Sequence, residues 1–203
     1  MMGPVYVITE ADAPLHVAEQ VRAAARGGAS LIQIRDKTSS DADLTALVAH
    51  LMPEVEALGA RLIVNDRVEV AMAAHAHGLH IGQSDGDPAA IRRRLPSGML
   101  LGVSVETVDQ ARIVPAGVSY VGAGPLRRTA TKPDHASPIG LAGLAQIVSA
   151  TKLPAYAIGG IKPGDAAALK AAGAAGLAVV SAVTRAANPE AATRALLREW
   201  CAS

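Results

Sequence analysis

The chain has 203 residues, half of them hydrophobic, with 19 Lys plus Arg against 18 Asp plus Glu and a formal net charge of +1. So even a balance creates no field to hold nucleic acid or an anionic membrane, and aromatics at 2% leave few rings on which unpaired bases could stack. Phe is absent, so the core has to be built from Ala, Val, Leu and Ile, the usual filling of parallel sheets covered by helices.

From the N-terminus, residues 5–9 read as a strand and 15–26 as a helix stopped by Gly27-Gly28. A strand over 31–35 follows, then a helix over 41–58, bent or broken near Pro53 because proline cannot donate to the helical ladder. A strand over 61–64 leads into a short helix over 68–74. Further strands are expected at 79–81, 100–104, 120–123, 156–158 and 177–180, with helices between them around 88–95, 108–114, 141–150 and 165–172. A helix over 190–201 closes the chain, with Asn188 as N-cap and Pro189 at its first position.

Strand and helix thus alternate eight times, with connections too short for an antiparallel sheet. A doubly wound open sheet shares that alternation. The count of eight favours a single-domain parallel (β/α)8 TIM barrel over residues 1–203, at the lower edge of that fold's length. The longest connection, 124–137, carries Arg127, Arg128 and Lys132 and is expected to lie over one rim of the barrel as a mobile loop. A lone cysteine, Cys201, suits a reducing compartment. No secretory signal pattern opens the chain, and no apolar run approaches the roughly 18 residues that span a bilayer. A soluble, cytoplasmic protein is expected.

Short polar clusters follow the apolar runs and would share the C-terminal rim, where barrels of this kind carry their chemistry. Gly159-Gly160 and Val180-Ser181 end the last two strands, where backbone N–H groups commonly cradle phosphate; two tight turns are the plainer explanation. Asp66 and Asp85 each end a strand. Two separated carboxylates suit magnesium, which keeps several waters and completes its shell with phosphate oxygens, although each aspartate could also cap the helix that follows it. Arg35 and Lys37 fall on one side of an extended strand end, a fork and a point charge suited to a diphosphate. Lys132 follows Thr129 and Thr131, whose hydroxyls can donate to phosphate or to a ring heteroatom.

His75, His77 and His80 raise zinc, but structural zinc usually takes cysteine as well and none is near. His80, inside an apolar strand, reads as a hydrogen-bonded core histidine. Ser104 could be written into a nucleophile triad, yet no sequence feature pairs it with a base.

In this order, "LIQIRDK", "LIVNDRVEVA", "GLHIGQSD", "LGVSVET", "YVGAGPLRRTATKPD", "PAYAIGGI" and "LAVVSAV" resemble the thiamine-phosphate synthase family across nearly the whole chain. The resemblance implies a magnesium-dependent transferase of thiamine biosynthesis. It would join 4-amino-2-methyl-5-(hydroxymethyl)pyrimidine diphosphate to 4-methyl-5-(2-hydroxyethyl)thiazole phosphate, or its carboxylated precursor, and release pyrophosphate by a dissociative route. It further implies Asp66 and Asp85 as metal ligands and Arg35, Lys37, Asn65 and Lys132 as diphosphate contacts. Gln33 would lie beside the pyrimidine, Ser104 near the leaving group, and Thr129 and Thr131 against the thiazole. Gly159 and the backbone of Val180 and Ser181 would hold the thiazole phosphate. The partners implied are small molecules, with homo-oligomer formation left open.

Three places depart from the family pattern. His77 and Ala175 stand where aspartates are frequent, both at expected strand entrances. Leu126-Arg127-Arg128 stands where bulkier apolar residues are usual, which puts the shape of the long loop in question. A thiazole tautomerase of the same superfamily is the nearest alternative, but it relies on a histidine where this chain has Glu106. A non-catalytic phosphate-ligand sensor predicts loss of Asp66, Asp85 or Lys132, and all three are present. A phosphate-binding barrel enzyme of tryptophan synthesis would need an acid–base pair that the sequence does not display.

Overall fold

Residues 2–129 and 137–203 are described by the structure, a computed structural model. Eight parallel strands close on themselves in chain order: β1 Val5–Ile8, β2 Leu31–Ile34, β3 Arg61–Asn65, β4 Gly78–Ile81, β5 Leu100–Val105, β6 Tyr120–Ala123, β7 Ala155–Ile158 and β8 Gly176–Val179. The closing pair is β1 with β8, in the register Val5 to Leu177 and Val7 to Val179. That pairing rules out the open sheet and makes the fold a (β/α)8 barrel.

Helices α1 Val17–Arg26, α2 Asp41–Ala57, α3 Val68–Ala73, α4 Pro88–Arg94, α5 Val108–Arg112, α6 Gly140–Ala150 and α7 Ala166–Ala171 return the chain between strands. After β8 come two helices, α8 Ser181–Thr184 and α9 Pro189–Ala202. The one-turn helix α8 is not legible in the sequence, because it starts directly at the strand end with no polar break; Val180 reads as strand but is the N-cap of α8. The expected break at Pro53 is also absent: α2 runs unbroken through it. Its N-terminus is fixed instead by Ser40, whose side chain accepts from Asp43 N–H. Asn188 caps α9 as read, its side chain accepting from Ala191 N–H, with Pro189 at the first helical position. Among the described residues no helix is long and apolar enough to cross a membrane.

Side chains alternate along every strand, and the two faces have different fillings. Val5, Val7, Ile32, Ile34, Leu62, Val64, Leu79, Ile81, Val121, Leu177 and Val179 join the helices in one large apolar layer. The inward face carries Tyr6, Ile8, Leu31, Ile63, Tyr120, Tyr156 and Ala178. All three tyrosines of the chain therefore sit inside the barrel, mutually edge-on with centroids 5.6–5.7 Å apart.

Glycine makes the room for them. A Cβ on Gly102 would lie 2.2 Å from Tyr120 Cζ, and one on Gly176 would lie 2.6 Å from Tyr156 Cε1. Both rings are fully buried and hydrogen-bonded through their hydroxyls, so neither can step aside. Gly102→Ala is accordingly expected to cost about 3 kcal/mol of stability or more, as overpacking of a closed core does. Denaturant unfolding measures this, and a loss below about 1 kcal/mol would mean that the interior is more yielding than these contacts imply.

Candidate active site

The C-terminal ends of the strands gather most of the polar residues singled out from the sequence. At the ends of β2 and β3, Lys37 is ion-paired with Asp66, and Asn65 Nδ2 donates to the same carboxylate oxygen at 2.7 Å. Asp66 adopts a left-handed backbone with φ 50°, unusual for a residue with a side chain, and its N–H is tied to the His80 carbonyl at 2.8 Å. The loop that presents Lys37 is organised by Asp36, to which the sequence assigns no role. Asp36 accepts from the N–H groups of Thr38 and Ser39 and from both hydroxyls. Burial opposes its ionisation, but those bonds outweigh burial and hold the carboxyl at about 2.

Strand β2 ends at Ile34, so Arg35 lies in the loop and not in the strand. Its backbone N–H donates to Thr9 Oγ1 at 3.1 Å, and among the described residues its guanidinium has no partner. Asp85 ends a turn after β4 and accepts from Gly82 N–H at 2.7 Å through one oxygen. The strands that precede it and Asp66 are neighbours, in the register Asn65 to His80. Neither aspartate caps a helix: α3 has no side-chain cap, and Asp87 caps α4. The helix-cap explanation therefore fails for both.

The histidines go to three different places. His75 is exposed. His77 lies at the opposite, N-terminal end, where Leu62 N–H donates to its Nδ1 and Glu56 pairs with its Nε2 at 3.2 Å. His80 points into the barrel, 8% exposed, with Nε2 3.0 Å from Ser104 Oγ and Nδ1 3.3 Å from the Tyr120 hydroxyl. The structure thus supplies the partner for Ser104 that the sequence could not identify.

Hydrogen bonds run the length of this interior column. Gln33 Nε2 donates to the Tyr6 hydroxyl oxygen. Tyr6 OH is 2.9 Å from Tyr120 OH, a pair in which either hydroxyl can be the donor. Tyr120 OH in turn pairs with His80 Nδ1, and His80 Nε2 with Ser104 Oγ. Burial drives the imidazole down to about 4, against the opposing pull of the Asp85 charge, so the ring is neutral at pH 7. A ring held that low is a weak base toward Ser104, so the arrangement orients the serine hydroxyl and does not activate a nucleophile.

At the far side, Gly159 and Gly160 have φ 94° and 64°, the left-handed backbone that glycine adopts without strain. Close approach of an anion is not what a side chain here would first obstruct. A Cβ on Gly159 would stand 2.6 Å from Pro125 Cβ, and one on Gly160 2.9 Å from Arg127 Cβ. The glycines let the loop after β6 lie on the turn after β7. Val180 is the N-cap of α8 and Ser181 its first residue, so the first N–H groups of α8 have no partner within the helix. Arg185 and Thr184 anchor α8 to Glu10, with Arg185 Nε at 2.9 Å and Thr184 Oγ1 at 3.1 Å. Thr129 is half-buried at the end of the described loop. Thr131 and Lys132 lie outside the described residues.

A metal at Asp66 and Asp85 can be tested on donor chemistry. Both offer hard carboxylate oxygens, and among the described residues no group of three or more His, Cys, Asp or Glu converges. That suits an open magnesium site completed by water and phosphate oxygens, and it does not suit a closed protein cage.

The folded-state value of His80 carries a prediction. An unfolded histidine titrates near 6.5, so between about 6.5 and 4 the unfolded chain binds a proton that the folded chain refuses. The contribution is complete above pH 6.5 and is lost as pH falls toward 4, about 3 kcal/mol in all. Asp36, held at about 2, loses its contribution only in more acid solution. Unfolding free energies of the wild type should fall more steeply over pH 6.5–4 than those of His80→Gln, and equal slopes would refute the assignment.

Comparison with known proteins gives one family. The profile described as thiamine monophosphate synthase matches residues 5–183. A thiamine-phosphate synthase from Roseiflexus sp. (strain RS-1) is 49% identical over 96% of this chain and 84% of its own length. One from Chloroflexus aurantiacus is 43% identical over 94% and 89%. The solved thiamine phosphate pyrophosphorylase from Pyrococcus furiosus superposes with a TM-score of 0.89 at 32% identity, covering 98% of this chain and 96% of that one.

Proposed function

The chain belongs to the thiamine monophosphate synthase family and is an enzyme of that transferase type; on that footing we propose that it couples the pyrimidine diphosphate with the thiazole phosphate, or its carboxylated precursor, with magnesium as cofactor. The observation that carries this reading is the Lys37, Asp66 and Asn65 cluster where β2 and β3 end. There a cation is already seated on a carboxylate, two residues along the same loop from Arg35, whose guanidinium has no partner among the described residues. A diphosphate and a divalent ion would share those charges.

In this reading Asp66 and Asp85 would hold Mg2+, which when bound neutralises the charge of the departing diphosphate. Arg35, Lys37 and Asn65 bind the diphosphate oxygens, and Ser104 donates its hydroxyl to them. Lys132 and Thr131, outside the described residues, are assigned with them from the resemblance. Gln33 is oriented by Tyr6, so its amide oxygen is left to accept from the aminopyrimidine. Gly159, Gly160 and the first N–H groups of α8 receive the thiazole phosphate, with Thr129 at its ring.

The chemistry follows from what the rim contains. The aminopyrimidine expels diphosphate to leave a stabilised methylene cation, and the thiazole nitrogen captures it. That nitrogen carries no proton, so no general base is needed. A neutral, weakly basic His80 beside Ser104 agrees with this. Catalysis rests on charge neutralisation and on holding the two rings in line.

The first test is formation of thiamine phosphate from the two substrates with magnesium and then with excess chelator. Magnesium-dependent product is expected, and undiminished product in chelator would remove the metal from the reading. Asp85→Ala and Lys132→Ala should each lower turnover by about 100-fold or more with unfolding temperatures little changed, and Ser104→Ala by a comparable factor for loss of one aimed donor. Near-normal rates in Asp85→Ala and Lys132→Ala would sink the site assignment.

A further inference from the structure

The pair Arg127-Arg128 is the part of the sequence for which the family resemblance gives no role, and Arg127 has the most developed set of contacts on the rim. Its Nη1 and Nη2 grip the two oxygens of Asp165 at 2.7 and 2.9 Å, a fork-to-fork pair. Nη1 also donates to the Gly160 carbonyl at 3.0 Å, and its backbone N–H to the Gly159 carbonyl at 3.1 Å. Leu126 N–H reaches the Ile158 carbonyl at 2.7 Å. The β6 and β7 segments therefore stay laced together beyond the ends of their strands, with the glycine turn on one side and the start of the long loop on the other.

Asp165 stands where an aspartate would ordinarily cap α7, yet it makes no side-chain cap bond. Instead, its Oδ2 accepts Lys162 N–H at 2.8 Å, closing the turn that begins at Gly159. The capping is done from elsewhere: Glu199 of α9 accepts from Ala166 N–H and Gly164 N–H, both at 2.9 Å. A remote glutamate thus frees Asp165 for Arg127. Hydrogen bonds from Arg127 and Lys162 keep the Asp165 carboxyl below its ordinary range although burial opposes ionisation. The Asp165 side chain is 15% exposed and that of Arg127 43%, so the pair is covered on the carboxylate side and open on the other.

We propose that Arg127 and Asp165 are positioning residues that clamp the β6 loop onto the Gly159-Gly160 turn and so preset the thiazole-phosphate site. This rests on the reading of that turn given above. The Arg127 guanidinium is committed to Asp165 and to a backbone carbonyl, so it acts on the substrate through the turn and not by touching phosphate. The two roles differ in a measurable way. If Arg127 were a phosphate ligand, removing Asp165 would release it and leave binding unharmed or improved. If it is a clamp, removing either partner damages the turn equally, and removing both adds little.

The experiment compares Arg127→Ala, Asp165→Ala and the double variant with the wild type, measuring KM for each substrate, kcat and unfolding temperature. Each single variant should raise KM for thiazole phosphate about tenfold and leave KM for the pyrimidine diphosphate within about twofold, and the double variant should match the singles. Normal KM values in Asp165→Ala, or equal rises for both substrates, would overturn the clamp. Should Arg127→Ala or Asp165→Ala fail to fold, Asp165→Asn retains the acceptor for Lys162 N–H, loses the charge and is held to the same KM criterion. A wild type that makes no thiamine phosphate would refute the proposed reaction instead. The clamp is then read by calorimetric titration with inorganic phosphate, about tenfold weaker binding in Asp165→Asn supporting it and unchanged or undetectable binding in both proteins overturning it.

Discussion

Inside the barrel, Tyr120 hydrogen-bonds both Tyr6 and His80, and the rim residues at both ends of that column take their orientation from it. A phenol in a dry interior has to find partners, since an unsatisfied buried hydroxyl costs on the order of 1–3 kcal/mol. Here each has them, and no buried side-chain polar atom among the described residues is left without one. Gln33 donates to Tyr6 at one end of the column, and Ser104 pairs with His80 at the other. One requirement, satisfaction of three adjacent polar groups in a space made by glycines, thus sets an amide at the end of β2 and a hydroxyl at the end of β5. The same column keeps His80 neutral, so the most buried titratable group near the rim is withdrawn from acid–base work.

A second constraint operates across the barrel. The sequence suggests that Gly159-Gly160 is glycine so that an anion can approach, but the contacts show an earlier demand: Pro125, Leu126 and Arg127 already occupy the space that a Cβ would need. The two reasons are compatible in order. A turn that must be side-chain-free to accept a neighbouring loop also exposes its backbone N–H groups, and it is the loop that determines which way they face. Arg127, with its fork on Asp165 and a third bond to the Gly160 carbonyl, is what keeps loop and turn in register.

The fold was legible because the outward residues of each strand are nearly continuous Val, Leu and Ile, and because eight such runs alternate with helical stretches. The strand-end aspartates and the Arg35-Asp36-Lys37 cluster could be found for the same reason, since each sits within four residues past an apolar run. Three things could not be read. Helix α8 is a single turn with no break before it. Pro53 looks like a helix breaker but lies in a helix that the rest of its sequence sustains. The partnership of His80 with Ser104 depends on the register of adjacent strands, which sets His80 opposite Gly102 and Ser104 two residues farther on, and spacing along one chain does not reveal it. Arg127 and Asp165 are farther apart still, 38 residues, and each reads locally as something else: a solvated loop cation and a helix cap.

The proposed reaction asks for no acid–base pair at the rim. A nucleophile that has no proton to lose needs an oriented approach and a leaving group whose charge is met as it develops. In the proposed reaction the first need is met by two devices, the interior column under Gln33 and Ser104 and the clamp that ties the start of the long loop to the glycine turn. The second is met by charges at the rim, with Lys37 and Asp85 exposed and Arg35 and Asp66 partly covered. Separating buried, fixed orientation from exposed, adjustable charge avoids the cost of burying ions, and it leaves each to be set by its own part of the fold.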